Sequence, residues 1–198
     1  MQLLRINRKY KGQYLSLYNI TYELKDQVCE QETISRKGTQ RSPDVLDLSN
    51  IGETVDGVSC IIINKTHDAI CLLQEYRPAA NVWVCDIPMG MIEDFETPEE
   101  AAVRETKEET GLHDITVLKT LPASYVNPSF SDSKVSTVIM EASGETHINE
   151  DKIVPLWLPL TKIKPLLAHP NCPPMSSKTQ IVLYLLAMSQ NLDFLINT

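Results

Sequence analysis

The sequence has no long apolar run, no excess of positive charge and no paired cysteine or histidine motif. Its longest apolar run extends from Ile181 to Met188, whereas about 20 residues are needed to cross a bilayer. The opening residues also lack the apolar core of a secretory signal. We therefore expect a cytoplasmic protein that does not use a membrane as a partner.

Acidic residues outnumber basic ones, with 26 Asp and Glu against 18 Lys and Arg, so the formal net charge is -8. A chain of this charge has no general attraction to nucleic acid or to an anionic membrane surface. We expect no nucleic acid partner. An anionic ligand would have to be attracted by a local site or by a bound cation.

The five cysteines are odd in number and never spaced as Cys-x-x-Cys, and the four histidines lie far apart. This usage is typical of reduced thiols in a cytosolic protein, and it gives little support to disulfides, zinc or a histidine-based metal site.

The pattern of apolar and turn-forming residues predicts an α+β fold, because strand and helix segments are mixed without strict alternation. Residues 1–50 are polar and too few to bury a core alone, so we predict a small N-terminal β region followed by a main domain at 51–198. The predicted strands lie at residues 14–22, 29–35, 57–64, 69–76, 82–87, 115–121, 134–141 and 153–158. The predicted helices lie at 98–110, 160–168 and 176–190.

The first of these helices has well-defined ends. Thr97 is predicted as the N-cap, Pro98 as the first helical residue and Glu100 as the other half of a capping box. Gly111 is the predicted C-terminal stop. These signals fix which residues share each face of the helix.

Three carboxylates, on Glu105, Glu108 and Glu109, project from one side of this helix because they are three and four residues apart. Their mutual repulsion costs a few tenths of a kcal/mol per pair. They border a narrow stripe of small or apolar residues, formed by Ala102, Val103, Thr106 and Thr110. Oxygen ligands at the edge of a core suit a hard cation such as Mg²⁺ or Mn²⁺. The competing interpretation is a solvated acidic helix face.

Residues 90–112 resemble the Nudix box of the Nudix hydrolase superfamily. One position departs from the pattern, since Thr106 occupies an aliphatic slot. The resemblance implies an α/β/α sandwich around a mixed sheet and Mg²⁺-dependent cleavage of a nucleoside diphosphate linked to another group. The residues that match the box are Gly90, Glu96, Arg104, Glu105, Glu108, Glu109, Gly111 and Leu112.

Features outside the box resemble the ADP-ribose pyrophosphatase subgroup. The segment Gln-Glu-Tyr-Arg-Pro implies that Arg77 binds phosphate, although Glu75 departs from the subgroup pattern. Pro128 stands sixteen residues after Leu112, a spacing associated with ADP-ribose preference, and Ser129 follows it in place of glycine. In this subgroup the N-terminal β region exchanges between the protomers of a homodimer and helps to cover the adenosine. Two of its residues have implied roles, Tyr14 in stacking and Arg36 in facing phosphate.

The resemblance also implies a set of metal-binding and catalytic groups. The divalent ion would be held by Glu105, Glu109 and Glu108, with the Met89 carbonyl as a further oxygen ligand. Arg104 can orient Glu108, and Gly90 adjoins the substrate. The general base is either a box glutamate or an acid before the strand at 153–158, where Glu150 and Asp151 are the candidates and Asp151 is favoured by its spacing.

The leading hypothesis is therefore a homodimeric hydrolase that splits ADP-ribose, or a related nucleoside diphosphate sugar, into AMP and a sugar phosphate with Mg²⁺ or Mn²⁺. Two alternatives stay open. One is a pyrophosphatase for another nucleotide sugar or a dinucleotide, and the other is a non-catalytic nucleotide-sensing module.

Overall fold

The computed structural model describes residues 1–42, 44–147 and 153–189, and these residues form two compact units. The first unit contains Met1–Asp56 and Ala123–Val135, and the second contains Gly57–Pro122 and the described residues from Ser136 onward.

Eleven strands and three helices are present in the described residues. The strands are β1 (Gln2–Lys11), β2 (Ser16–Leu24), β3 (Gln27–Ser35), β4 (Gly57–Asn64), β5 (Ala69–Arg77), β6 (Val82–Asp86), β7 (Met89–Met91), β8 (His113–Thr120), β9 (Ser124–Tyr125), β10 (Lys134–Ser143) and β11 (Ile153–Pro159). The helices are α1 (Pro98–Thr110), α2 (Leu160–Ala168) and α3 (Ser177–Ser189).

The first unit is built on an antiparallel sheet with the strand order β1-β2-β3. The tight turn between β2 and β3 places Lys25 and Asp26 at φ values of 52° and 63°, as two-residue hairpin turns require. The N-terminal antiparallel region is thus as predicted, but the sequence analysis missed β1. Most of β1 is exposed on both faces, so its sequence lacks the alternation that marks a half-buried strand.

The second unit is organised around a mixed sheet with the strand order β11-β5-β4-β10-β8, while β6 pairs with β5 and β7 pairs with β4. Side chains alternate between the two faces of a strand, and β4 shows this clearly. Val58, Cys60 and Ile62 pack in one core with residues of α1, whereas Ile61 and Ile63 pack in another core with residues of α2 and α3. Helices therefore cover both faces of the sheet, and the predicted α/β/α sandwich is confirmed.

Helix boundaries match the sequence prediction to within one residue. The buried stripe of α1 consists of Ala101, Ala102, Thr106 and Thr110. Val103, predicted to share this stripe, is only partly buried, and Ala101 takes its place. Within the described ranges, every helix is too short or too polar to cross a membrane.

Candidate active site

Both ends of α1 are fixed as the sequence predicted. The hydroxyl of Thr97 accepts a hydrogen bond from the Glu100 amide at 3.2 Å, and the Thr97 amide donates to the Glu100 carboxylate at 2.8 Å. Gly111 ends the helix in the left-handed region at φ 74°, where its N–H donates to the Lys107 carbonyl. The capping box sets the first turn of the helix and therefore the directions of the carboxylates farther along it.

Arg104 connects α1 to the loop that precedes it. Its Nε lies 2.8 Å from one Glu96 carboxylate oxygen and its Nη2 lies 2.9 Å from the other, a bidentate pair. Nη2 also donates to the Met91 carbonyl at 2.8 Å. The hydrogen bond from Arg104 lowers the pKa of Glu96 to about 2. The loop is thus fastened to the helix through an arginine that the Nudix box specifies.

Gly90 lies directly against the carboxylate of Glu105. A Cβ atom added at Gly90 would lie 1.8 Å from Cδ of Glu105, a distance that no side chain permits. The other side of this carboxylate accepts a hydrogen bond from Nη1 of Arg104 at 2.9 Å. Glu105 is therefore held between a glycine backbone and a guanidinium.

Glu109 is partly buried, as Glu105 is, whereas Glu108 is exposed. One of the carboxylate oxygens of Glu109 accepts a hydrogen bond from the Met89 amide at 3.1 Å. Burial raises the pKa of Glu109 to about 8, and the negative charges of Glu105 and Glu75 add to this effect. A partly buried carboxylate near another carboxylate is repelled by it, and a bound divalent cation would reduce that repulsion.

Glu108 lies on the solvent side of the cluster, with 59% of its side chain exposed. Arg104 contacts it at 3.2 Å, so the predicted contact between these two residues is present.

Across residues 1–42, 44–147 and 153–189, no group of three or more His, Cys, Asp or Glu side chains is arranged to hold a metal. Arg104 bonds to both Glu105 and Glu108 instead. The oxygen-only donor set and the partly buried Glu109 nevertheless fit a hard cation.

Arg77, the last residue of β5, lies beside this cluster. Its Nη2 is 2.8 Å from the Glu75 carboxylate and 3.8 Å from the Met89 sulfur. Met89 also donates its amide to Glu109. The structure thus brings Arg77, Met89, Gly90, Glu105 and Glu109 together within the second unit.

Lys178, in the first turn of α3, is a member of this cluster that sequence reasoning missed. Its Nζ lies 2.7 Å from the Met89 sulfur. Burial lowers the pKa of Lys178, with Asp86 opposing this effect and Arg77 adding to it. The sequence around Lys178 indicates only the start of a helix, and the contact spans 89 residues, so no local motif could have identified it.

The other predicted substrate contacts belong to the first unit. Tyr14 is 52% exposed, and the Arg41 guanidinium lies 4.8 Å above its ring. Arg36 and Pro128 are also exposed, and Pro128 lines a cavity of about 500 Å³ within this unit. Tyr22, Tyr125 and Asp132 line the same cavity, although the sequence analysis gave none of them a role. The candidate bases Glu150 and Asp151 lie outside the described residues.

The sandwich and the acidic helix together define a Nudix-type domain. The NUDIX domain family model matches residues 53–177, which is more than half of the chain. The chain therefore belongs to the Nudix family, as the box indicated.

Two curated relatives each resemble about half of the chain. An ADP-sugar pyrophosphatase from Mus musculus is 34% identical over 97 residues, covering 48% of this chain and 44% of that protein. An ADP-ribose pyrophosphatase from Saccharomyces cerevisiae is 29% identical over 106 residues, covering 52% of this chain and 46% of that protein. The chain thus aligns with less than half the length of each relative.

A solved structure described as an ADP compounds hydrolase has the same fold over almost the entire chain. The TM-score is 0.64, and the match covers 98% of this chain and 95% of the other. The sequence identity is 20%, so this likeness supports the fold alone.

Proposed function

We propose that this protein hydrolyses the pyrophosphate bond of ADP-ribose, or of a related nucleoside diphosphate sugar, and releases AMP and a sugar phosphate. The observation that carries the proposal is the pairing of Glu105 with the partly buried Glu109, whose charges repel each other, beside Met89 and Gly90. Two carboxylates held close together at the edge of a core repel each other, and a bound cation reduces that repulsion. The same cation can interact with the phosphates of a substrate.

Glu105 and Glu109 hold Mg²⁺ or Mn²⁺ in this proposal, with Glu108 and the Met89 carbonyl as further oxygen ligands. When bound, the divalent ion neutralises phosphate oxygens and lowers the pKa of a coordinated water. Glu108 is exposed and bonded to Arg104, so it would have to give up that contact to serve as a ligand. Either a box glutamate or one of Glu150 and Asp151 accepts the proton of the attacking water.

Arg77 binds the diphosphate in this proposal. Its guanidinium offers a planar fork of donors that matches phosphate oxygens. It already contacts the Met89 sulfur, and among the described residues it pairs with the Glu75 carboxylate. Arg104 serves the site indirectly, because it fastens Glu96 and Glu105 in place.

We assign dimerisation and substrate covering to the N-terminal β region, residues 1–50. In a homodimer it would place Tyr14 against the base and Arg36 against a phosphate, while Pro128 contributes to substrate preference. Sedimentation tests this assembly, since a monomer at micromolar concentration would contradict a site shared between subunits.

The activity is tested by incubating the protein with ADP-ribose and Mg²⁺, Mn²⁺ or a chelator and measuring AMP. We expect AMP only when a divalent ion is present. Glu109→Gln should reduce the rate by several orders of magnitude, because it removes a charged ligand. The matched control Glu145→Gln, on an exposed loop residue, should leave the rate unchanged.

A panel of GDP-sugars, dinucleotides and other nucleoside diphosphates tests the identity of the substrate separately from the type of reaction. Cleavage of one of these compounds but not of ADP-ribose would reject the substrate. Failure to cleave any of them would reject the hydrolase proposal and favour a nucleotide-sensing role.

A further inference from the structure

The first turn of α3 is anchored to the end of β6 by the buried carboxylate of Asp86, which is only 4% exposed. One of its oxygens accepts hydrogen bonds from the Ser176 hydroxyl at 2.7 Å, the Thr179 hydroxyl at 2.6 Å and the Ile87 amide at 2.9 Å. The Ile87 amide also donates to Thr179 at 3.0 Å. Since β6 leads within three residues to Met89, this network fixes the start of α3 relative to the acidic cluster.

Lys178 lies on this anchored turn, and its ammonium group approaches Met89. Nζ is 2.7 Å from the Met89 sulfur, to which Nη2 of Arg77 also points at 3.8 Å. Two cationic side chains therefore converge on one thioether, which is a weak hydrogen-bond acceptor without charge. The backbone amide of the same methionine donates to Glu109.

Among the described residues, three carboxylates lie near these two cations, and each has another partner. Glu109 accepts the Met89 amide, and its charge acts on both Arg77 and Lys178. Asp86 lies 3.9 Å from Nζ of Lys178, and the oxygen involved is the one that accepts three hydrogen bonds from other groups. Glu75 lies against Arg77. Two like charges that converge at a partly buried position are unfavourable unless an anion joins them. A diphosphate has the charge and the acceptor oxygens to do so.

We propose that Lys178 is a phosphate-binding residue that, together with Arg77, holds the diphosphate of the substrate above Met89. This inference rests on the proposed function, because it assigns one more contact to the same substrate. Asp86, Ser176 and Thr179 are positioning residues that act through Lys178.

Steady-state kinetics with ADP-ribose tests the assignment through Lys178→Gln, Lys178→Arg and the control Lys162→Gln, which removes an exposed lysine on α2. Loss of a charged hydrogen bond should raise KM about 10- to 100-fold for Lys178→Gln. Lys178→Arg should restore most of the affinity, and Lys162→Gln should match the wild type. A lower melting temperature for Lys178→Gln with unchanged KM would assign the lysine to structure alone and overturn the proposal.

Binding of inorganic pyrophosphate, measured by calorimetry in the presence of a chelator, separates this inference from the proposed function. We expect Lys178→Gln to weaken binding about 10-fold or more, and Lys162→Gln to have no effect. Equal binding by the wild type and Lys178→Gln, or no binding by the wild type, would overturn the inference. If pyrophosphate binding depends on Lys178 but the protein cleaves no substrate, the proposed hydrolase function is rejected and the anion-binding role of Lys178 is kept. If Lys178→Gln fails to fold, Lys178→Met, which keeps the apolar stem, replaces it in both assays.

Discussion

Replacing Glu109 with glutamine should change how the stability of the metal-free protein depends on pH. Burial raises the pKa of Glu109 to about 8 from an ordinary value of 4.5. Between these two values the folded state binds more protons than the unfolded state, so the free energy of unfolding falls as pH rises. The pKa interval corresponds to at most about 4 to 5 kcal/mol. Because side chains and water can relax around the charge, we expect a loss of about 2 to 3 kcal/mol.

The measurement is urea unfolding in a chelator at several pH values from 5.5 to 8.5. Wild type should lose stability across this range, while Glu109→Gln should lose less and become the more stable protein at the upper end. The control Glu145→Gln makes the same chemical change on an exposed loop and should follow the wild type. Adding Mg²⁺ at high pH should restore stability to the wild type and do little for Glu109→Gln, since a ligand that binds only the folded state stabilises it.

Parallel pH profiles for wild type and Glu109→Gln would refute the reasoning about burial. Equal stabilisation of both proteins by Mg²⁺ would refute the assignment of Glu109 as a ligand. The two results are independent, so the electrostatic argument and the metal argument can fail separately.

Three further substitutions test the packing around α1. Gly90→Ala should abolish most activity in the ADP-ribose assay while the protein still unfolds cooperatively, because its Cβ would displace the carboxylate of Glu105; near-normal activity would contradict the close contact. Thr106→Val should raise the free energy of unfolding by about 1 kcal/mol, because the buried Thr106 hydroxyl lies against the Cys60 thiol, a weak acceptor, and makes no hydrogen bond of regular geometry among the described residues. Thr110→Val should lower it instead, since that hydroxyl donates to the Thr106 carbonyl and accepts from the Leu112 amide; equal shifts in both valine variants would contradict the distinction.

Most of the fold could be predicted because it depends on local signals. The N-cap at Thr97, the stop at Gly111 and the apolar runs of β4 and β5 each specify an element through nearby residues. By contrast, β1 carries charged and polar residues on both faces, and β7 has only three residues. Such strands are specified by pairing with a neighbour rather than by their own pattern, so a single sequence gives no signal for them.

The candidate site likewise has features that the sequence predicts and features that depend on the fold. The spacing of Glu105 and Glu109 on one helix face follows from the period of the helix, so the sequence was sufficient to pair them. Burial raises the pKa of Glu109, while the hydrogen bond from the Met89 amide, on another element, opposes this rise. The environment of Glu109 could not be derived from the helix alone. Lys178 is a stronger case, because its place depends on the fold of α3 against β6.

Met89 contacts both the acidic and the basic residues of the candidate site. Its amide donates to Glu109, while its side chain contacts the cationic groups of Arg77 and Lys178. One residue therefore separates the acidic side of the site, which suits a cation, from the basic side, which suits a phosphate. Because β7 pairs Met89 with Ser59 of β4, the sheet itself sets the spacing between these two sides. A diphosphate substrate with a bound cation would contact both sides at once. If the carboxylates were only a solvated acidic helix face, the basic residues beside them would have no role in binding.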